Sequence, residues 1–284
     1  SIAITAGCNQ AFAAVLSAIC NEGDEVLLPT PWYFNNKMWL DMQGVRAVPL
    51  PSNADLIPEA ETAAALITER TRAIVLVSPN NPGGVEYPAE TLHALYALAR
   101  ARGIKLIVDE TYKDFDSRSG APHALLDEPG REETLIQLYS FSKAYRLTGH
   151  RVGAIIAAPS LLQEVEKFQD TVTICAPQLG QRAALWGLQN LSQWVAGERA
   201  EILARRAAIL EHMPRLAAKG WHLRGVGAFF AYFEHPFAEP ADVLAPKLVR
   251  EAGILALPAT MFVPKDDPSG ARHFRVAFAN VDAA

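Results

Sequence analysis

Cysteine is scarce in this sequence of 284 residues, where Cys8, Cys20 and Cys175 are the whole set. Three thiols so widely spaced exclude a disulfide framework and a zinc cluster, and we expect no bound metal. The sequence also has no uninterrupted run of 18 apolar residues, so it predicts no membrane span. Its first ten residues lack the basic-then-apolar layout of a signal peptide, and we therefore expect a cytoplasmic protein.

An excess of positive charge is lacking as well. The chain carries 26 Lys and Arg against 31 Asp and Glu, a formal net charge of −5. This balance argues against a general nucleic-acid-binding protein, which binds through a basic stripe. No Gly-x-Gly-x-x-Gly follows an apolar run, which argues against a dinucleotide-binding protein. Hydrophobic residues make up 50% of the chain, which is typical of a folded protein, and 284 residues are enough for one large domain, alone or with a smaller companion.

Short runs rich in Val, Ile and Leu recur through the first half of the chain. Most are continuous rather than alternating, as is typical of strands buried on both faces of a parallel sheet. The predicted strands span 2–5, 25–29, 46–50, 73–78, 105–109, 135–140 and 152–157. Helix-like stretches lie between them, at 10–20, 33–42, 58–67 and 89–102. This alternation predicts an α/β fold, with a mostly parallel sheet flanked by helices.

The pattern changes after residue 177. A stretch rich in Ala, Leu, Glu and Arg predicts helix from 178 to 218, interrupted near 189–192. Apolar segments with more aromatic residues follow, at 227–233, 254–258 and 273–279. We therefore predict a large domain over 1–205 and a smaller, partial α+β domain over 206–284.

The strongest local motif follows the strand predicted at 135–140. Doubly wound sheets bind ligands beyond the carboxyl ends of their strands, so this is where chemistry is expected. Ser140 and Ser142 flank a phenylalanine, Lys143 follows, and Arg151 lies eight residues later. A lysine partly removed from water has a lowered pKa and is a usable amine nucleophile, and serines with an arginine suit a phosphate group. Alone, such a motif is more typical of an exposed loop lysine with a surface arginine.

Polar residues also follow two other predicted strands. Asp109 closes one strand, with Tyr112 three residues later, and a carboxylate there can hold a heterocyclic nitrogen protonated. Asn80 and Asn81 lie in a turn framed by Pro and Gly, where an asparagine amide can donate to a phenolate oxygen. Taken singly, the asparagines are typical of an ordinary turn and Asp109 of a helix N-cap.

The first two strands are followed by further candidates. After the first strand, Gly7 permits close backbone approach, and the N–H groups of Cys8 and Asn9 open a helix that suits an anion. After the second strand, Tyr33 offers a flat face on which an aromatic cofactor can stack. By itself, Tyr33 is more typical of an aromatic packed in the core.

Taken together and in this order, these segments resemble the pyridoxal-phosphate-dependent aminotransferases of class I/II, the fold type I superfamily. The resemblance covers nearly the whole chain. It implies transfer of an amino group from an L-amino acid to a 2-oxo acid, with pyridoxal 5'-phosphate bound to Lys143 as an internal aldimine. It also implies that Asp109 pairs with the pyridinium nitrogen, and that Asn81 and Tyr112 contact the phenolic oxygen of the cofactor.

The resemblance extends to the other candidates. Tyr33 matches the aromatic residue that stacks on the cofactor ring. Arg275 lies where the family has the arginine that binds the substrate carboxylate, and Asn81 borders the same substrate site. The remaining matches form the phosphate cradle: Gly7, Cys8, Asn9, Ser140, Ser142 and Arg151.

Family members also suggest how the chain is completed and assembled. They carry a segment before the first strand seen here, part of it belonging to the small domain, and a terminal helix after the strand of Arg275. We therefore expect a truncated small domain. The resemblance also implies a homodimer, with amino-acid and 2-oxo-acid substrates and no nucleic acid or membrane as partner.

Two alternatives keep the cofactor and change the function. Carbon–sulfur β-lyases and cyclopropane-forming synthases share this scaffold, and so does the effector domain of a pyridoxal-phosphate-binding transcription regulator. A basic winged-helix segment upstream would identify the regulator. The donor is left open, because Trp32, Trp39 and the pair Phe229 and Phe230 suit either a pocket for a large apolar side chain or the core.

Overall fold

The computed structural model of the protein describes residues 1–281, and its strands form two sheets. The larger sheet contains β1 (Ile2–Thr5), β2 (Glu25–Thr30), β3 (Arg46–Pro51), β4 (Thr71–Val77), β5 (Lys105–Asp109), β6 (Leu135–Ser140) and β7 (Gly153–Ile156). Each corresponds to a strand predicted from the sequence, with ends that differ by at most two residues.

The order of strands across this sheet is β1-β7-β6-β5-β4-β2-β3. The neighbours from β3 to β6 pair in parallel, whereas β7 is antiparallel to both β6 and β1. Gly153, the first residue of β7, lies opposite both Thr5 and Ser140, the last residues of β1 and β6. The start of β7 therefore shares one edge of the sheet with the carboxyl ends of the parallel strands.

Helices cover both faces of the sheet. They are α1 (Cys8–Ile19), α2 (Phe34–Met42), α3 (Ala60–Leu66), α4 (Ala89–Ala101) and α5 (Pro159–Val172). Side chains of α1, α2 and α5 share one apolar cluster with alternate strand residues such as Val75 and Ile107. Those of α3 and α4 share a second cluster with the intervening residues, including Leu76 and Leu106. Burial on both faces explains why these strands are continuously apolar.

Helix ends in this layer follow local backbone chemistry. Pro88 precedes α4, and Gly103, with a φ of 66°, lies just beyond it, in line with the preference for proline at helix starts and glycine after helix ends. Helix α1 begins two residues earlier than the sequence predicts, because Gly7 serves as its N-cap. Tyr33, predicted as helical, is the N-cap of α2.

The smaller sheet is antiparallel, in the order β10-β11-β9-β8. Its strands are β8 (His222–Gly227), β9 (Phe230–Glu234), β10 (Ala256–Pro258) and β11 (His273–Ala277), with α8 (Ala241–Lys247) packed against it. The apolar segment at 227–233 thus covers the turn of the β8–β9 hairpin, where Ala228 has a φ of 44°, and most of β9. Short 3-10 turns and one π-helical turn occupy Lys113–Phe115, Leu125–Asp127, Arg131–Glu133, Ala259–Met261, Pro268–Arg272 and Leu248–Ala252.

Two helices connect the sheets: α6 (Gln178–Asn190) and α7 (Ser192–Ala217). They meet at Leu191, inside the interruption predicted near 189–192. Helix α7 passes without a break through residue 205, where the sequence-based prediction divides the chain. That division stays a prediction, whereas the two sheets themselves are distinct, and each has an apolar cluster of its own.

Candidate active site

The candidate site lies at the edge of the large sheet where β1, β2, β4, β5 and β6 end. The strand ends bring segments that are far apart in the chain to one place, because parallel strands share the direction in which they end. β7 begins at the same edge, and Arg151 lies two residues before it. Val77, Asp109 and Ser140 close their strands there and line the same cavity.

An anion-binding corner forms where β1 passes into α1. Gly7 has a φ of 86°, and a Cβ atom built on it lies 2.0 Å from Nη2 of Arg151. Glycine at this position therefore lets the guanidinium lie against the turn. Arg151 donates to the carbonyl of Thr148 at 2.9 Å and to Oγ of Ser142 at 3.5 Å. Because Gly7 gives α1 no side-chain cap, the first N–H groups of the helix face this corner with the arginine.

The buried carboxylate of Asp109 accepts two hydrogen bonds from Thr111. The backbone N–H and the hydroxyl of Thr111 both donate to Oδ1 of Asp109, at 2.9 and 2.6 Å. Burial raises the pKa of Asp109, although the two hydrogen bonds from Thr111 oppose that shift. A buried carboxylate is stabilised most by a cation, so this residue favours a protonated ring nitrogen as its partner.

Lys143 follows β6 and is half-buried. Its Nζ lies 5.8 Å from the centre of the Tyr112 ring. Burial lowers the pKa of Lys143, and the positive charges of Arg275 and Arg151 lower it further. The lysine therefore carries an uncharged amine over a wider pH range than an exposed lysine, which makes it the nucleophile of the site.

Arg275 on β11 reaches the asparagine turn, from which it is separated by 194 positions in the chain. Its Nη1 donates to Oδ1 of Asn81 at 2.9 Å, so the amide nitrogen of Asn81 is left to donate elsewhere. The guanidinium carbon lies 4.7 and 5.1 Å from the ring centres of Phe230 and Phe262. Burial lowers the pKa of Arg275, and its Nε is buried without a hydrogen-bond partner among the described residues.

Two adjoining cavities result from this arrangement. The smaller, of about 190 Å³, is lined by Cys8, Asn9, Tyr33, Val77, Asn81, Asp109, Thr111, Tyr112, Ser140, Ser142, Lys143, Thr148 and Arg151. The larger, of about 710 Å³, contains Arg275 and shares with the smaller the residues Tyr33, Asn81, Tyr112, Ser142 and Lys143. Every site residue implied by the family resemblance therefore lines one cavity or the other, except Gly7, which lies against Arg151. Asn80 lines neither, because its side-chain amide accepts from the N–H of Gly83 and donates to the hydroxyl of Tyr87.

Three residues of the smaller cavity were not predicted from the sequence: Val77, Thr111 and Thr148. Thr111 could have been predicted, because the side chain of an aspartate commonly accepts a hydrogen bond from the residue two positions later. Thr148 could not, because its role depends on the fold of the turn between Ser142 and Arg151. Its hydroxyl donates to the carbonyl of Ser142 at 2.9 Å, and its own carbonyl accepts from Arg151.

Comparison with known proteins identifies the family of this chain. The family model described as aminotransferase class I and II matches residues 1–284. The chain belongs to this aminotransferase family. Its members use pyridoxal 5'-phosphate, and members of the family act on amino acids and 2-oxo acids.

Individual relatives agree with the family. The chain is 31% identical to the arginine–pyruvate transaminase AruH of Pseudomonas aeruginosa, over 97% of its own length and 69% of that protein. It is 29% identical to the aromatic aminotransferase ISS1 of Arabidopsis thaliana, over 90% of its length and 66% of that protein. The chain thus spans about two thirds of these relatives. A mutant of the aspartate aminotransferase of Thermus thermophilus superposes with a TM-score of 0.88 at 29% identity, covering 99% of this chain and 76% of that one.

The residues of the smaller cavity fit the family's cofactor. The start of α1, two serines and Arg151 supply the N–H, O–H and guanidinium donors that a phosphate accepts. Asp109 supplies the buried negative charge that suits a pyridinium nitrogen, and Lys143 supplies the amine that suits an aldehyde. Within residues 1–281, the aminotransferase has no cluster of His, Cys, Asp or Glu able to hold a metal ion, and no helix is both long and apolar enough to cross a bilayer.

Proposed function

We propose that this aminotransferase moves an amino group from an L-amino acid to a 2-oxo acid, with the cofactor in the smaller cavity and the substrate in the larger. The observation that carries this proposal is the shared boundary between the two cavities. Lys143 belongs to both, so one amine faces the cofactor on one side and the substrate on the other.

The cofactor's phosphate would be held by the anion-binding corner, where Arg151, Ser140, Ser142 and the first N–H groups of α1 converge. Asp109 would keep a proton on the ring nitrogen by charge pairing. Asn81 and Tyr112 would donate to the phenolic oxygen, and Tyr33 would lie on the ring. Burial raises the pKa of Tyr33 to about 12, so its phenol stays neutral and able to donate at physiological pH.

Pyridoxal 5'-phosphate supplies an aldehyde that accepts the amino group and a conjugated ring that spreads the negative charge left on the donor Cα. The amine of Lys143 would take the proton from that Cα and deliver it to the carbon that the aldehyde supplies. Its lowered pKa suits this task, because a base whose pKa is close to the working pH is efficient. Arg275 would hold the donor α-carboxylate with its guanidinium fork and so fix which bond at Cα faces Lys143.

The experiment that tests this assignment compares two arginines. Arg275→Gln should raise the KM for every amino-acid donor and lower kcat/KM about a hundredfold or more, while the affinity for the cofactor is kept. Arg151→Gln should do the reverse, so that activity is lost with the cofactor and partly restored when pyridoxal 5'-phosphate is in excess. Cofactor loss from the Arg275 variant, with donor affinity unchanged, would show that the two roles are exchanged.

The relatives described above are all named aminotransferases or transaminases, and they lend no support to a lyase or a transcription regulator. Their names include arginine, aromatic amino acids and aspartate as substrates, so the family alone does not select a donor.

We also propose that the protein is a homodimer. Besides the family resemblance, the support is an exposed apolar surface beside the site, here called the α6 surface: Val172, Ile174, Leu179, Leu185, Trp186 and Leu188. Helix α6 packs on the turn after Lys143, since Gly187 lies against Tyr145. Light scattering should report twice the chain mass, and Trp186→Glu should lower it, whereas Val249→Glu, on another exposed apolar residue, should not. A monomeric unmodified protein would contradict the proposal.

A cytoplasmic location is proposed on the basis of thiol chemistry. Cys8, Cys20 and Cys175 are all free, and Cys8 lines the smaller cavity, where a reducing compartment would preserve its thiol. Fractionation of the native protein that finds it outside the cytoplasm would overturn this location.

A further inference from the structure

Arg146 is a strained residue in the wall of the larger cavity. It lies three positions after Lys143, and its backbone N–H donates to the carbonyl of Lys143 at 3.2 Å. Its φ of 52° falls in the left-handed region, which a residue with a long side chain seldom adopts. Strain of this kind collects at functional sites. The guanidinium of Arg146 is therefore a candidate functional group beside the substrate cavity.

Helix α7 holds this guanidinium from one face. Nε of Arg146 donates to Oε2 of Glu198 at 3.0 Å, and Nη2 donates to the same oxygen. The guanidinium carbon lies 5.6 Å from the ring centre of Trp194. Because Trp194 and Glu198 are one helical turn apart on α7, both contact the guanidinium of Arg146. The side chain of Arg146 is 70% exposed and that of Glu198 is 26% exposed, so both remain open to a molecule in the cavity.

The pairing leaves this part of the cavity nearly neutral. Glu198 offsets the charge of Arg146, and Arg205, the cation that α7 contributes to the cavity wall, donates to Glu201 and to the carbonyl of Ala279. The rest of the wall includes apolar side chains, among them Phe115 and Phe229, whose ring centres are 4.6 Å apart. A donor side chain placed here meets aromatic faces and charges that are already paired.

We propose that the Arg146–Glu198 pair selects the donor, so that the enzyme takes amino acids with large apolar or aromatic side chains and discriminates against charged ones. This inference rests on the proposed transamination at Lys143. A donor with a second carboxylate must compete with Glu198 for Arg146, and a cationic donor must compete with Arg146 for Glu198. A neutral side chain displaces neither partner and gains contact with the aromatic wall.

Removal of either partner should therefore leave the charge of the other unpaired and available to a donor side chain. Glu198→Gln leaves Arg146 in place over Trp194 with an unpaired positive charge, so it should admit dicarboxylic donors. Arg146→Gln leaves an unpaired carboxylate, so it should admit cationic donors. Both variants should fold, because an exposed ion pair adds little to folding stability.

The test uses the protein loaded with pyridoxal 5'-phosphate and measures kcat/KM for L-phenylalanine, L-glutamate and L-arginine with one 2-oxo-acid acceptor. The unmodified enzyme should prefer phenylalanine. Glu198→Gln should raise the glutamate-to-phenylalanine ratio about tenfold, and Arg146→Gln should raise the arginine-to-phenylalanine ratio about tenfold, as expected for one unpaired charge near a surface. Glu164→Gln is the matched control, because it also breaks an exposed ion pair, with Lys167, but lines no part of this cavity.

Two results separate the failure of this inference from the failure of the proposed function. If the unmodified enzyme and the control transaminate phenylalanine but neither variant changes its ratio by more than about twofold, the selecting role of the pair is wrong and transamination stands. A preference of the unmodified enzyme for glutamate or arginine would also overturn it. If the unmodified enzyme transaminates none of a full panel of donors, both proposals fail.

Discussion

The buried carboxylate of Asp109 suits the proposed cofactor but lowers the folding stability of the chain without it. Burial raises its pKa above the ordinary value of 3.8, which means that the folded chain binds a proton at this carboxyl more readily than the unfolded chain does. Its contribution to folding is therefore unfavourable above the folded-state pKa and is relieved as the pH falls through that pKa towards 3.8. A cationic ring nitrogen would remove this penalty in the loaded protein.

Asp109→Asn should accordingly separate stability from activity. Without cofactor, the variant should melt at the same temperature as the unmodified protein or higher at pH 7 to 8, and the difference should shrink in acid. Turnover should fall roughly 10–150-fold from the loss of one charge-assisted contact of about 1.5–3 kcal/mol, with the weaker electron withdrawal by the ring added. Thermal melting against pH and steady-state kinetics measure the two effects. Near-normal turnover would mean that the ring nitrogen lies elsewhere.

Residues at or shortly after strand ends were predictable, whereas contacts between segments far apart in the chain were not. Asp109, Ser140 and Lys143 follow apolar runs that show where β5 and β6 end, and a parallel sheet gathers such ends at one edge. The position of Arg275 beside Asn81 was expected only from the family resemblance, because no local pattern joins residues 194 positions apart. The strained turn at Arg146 and its partner Glu198 have no signature, since their contact depends on how α7 crosses the site.

At the scale of elements, the passage from β1 to α1 depends on a glycine. Gly7→Ala should distort the anion-binding corner, because the new methyl group would lie 2.0 Å from Nη2 of Arg151. We expect the dissociation constant for pyridoxal 5'-phosphate to rise at least about tenfold, the effect of losing about 1.4 kcal/mol of binding free energy. Absorbance titration of the cofactor-free protein measures it.

Gly23 provides the matched control. It has nearly the same backbone angle, with a φ of 83° against 86°, but nothing lies within 4 Å of a Cβ atom built on it. Gly23→Ala should therefore cost about 1–2 kcal/mol of folding free energy through its left-handed backbone and leave cofactor affinity unchanged. Equal affinities in the two variants would show that contact with Arg151 is not what Gly7 provides.

The strands of the large sheet were predictable, apart from the direction of β7, whereas α5, α8 and β8 were not predicted. Continuous apolar runs such as the one in β4 indicate strands covered on both faces, and the structure has them so covered. The run that becomes β7 looks the same in the sequence, yet it runs antiparallel to β6. A short turn of twelve residues, 141–152, separates the two strands and contains no helix that could cross back over the sheet, and pairing direction follows from that connection rather than from composition.

At the scale of the whole molecule, the two sheets meet through glycines. A Cβ atom on Gly227 lies 2.3 Å from the carbonyl oxygen of Gly84, and one on Gly225 lies 2.3 Å from that of Gly83. The β8–β9 hairpin therefore lies backbone to backbone on the asparagine turn. This contact sets how the smaller sheet, which carries Arg275, stands relative to the cavity that contains Lys143.

Gly227→Ala should force these backbones apart and move Arg275 relative to Lys143. We expect the KM for amino-acid donors to rise about tenfold or more, with cofactor affinity within about twofold of normal, because a misplaced clamp weakens substrate alignment. Gly197→Ala on α7 is the control, since nothing lies within 4 Å of its Cβ position, and it should be neutral or stabilising by up to about 1 kcal/mol. An unchanged KM in the Gly227 variant would show that the hairpin contact does not position the arginine.

Lys143, which lines both cavities, is the residue on which the proposed transamination depends most. Borohydride reduction of the protein loaded with pyridoxal 5'-phosphate converts a bond between a lysine amine and the aldehyde carbon into a stable one, which peptide mass spectrometry then locates. The added mass should lie on Lys143, and Lys143→Ala should abolish the label, whereas Lys167→Ala, at an exposed lysine, should not. A label on any other lysine of the unmodified protein, with Lys143 unmodified, would contradict this role of Lys143.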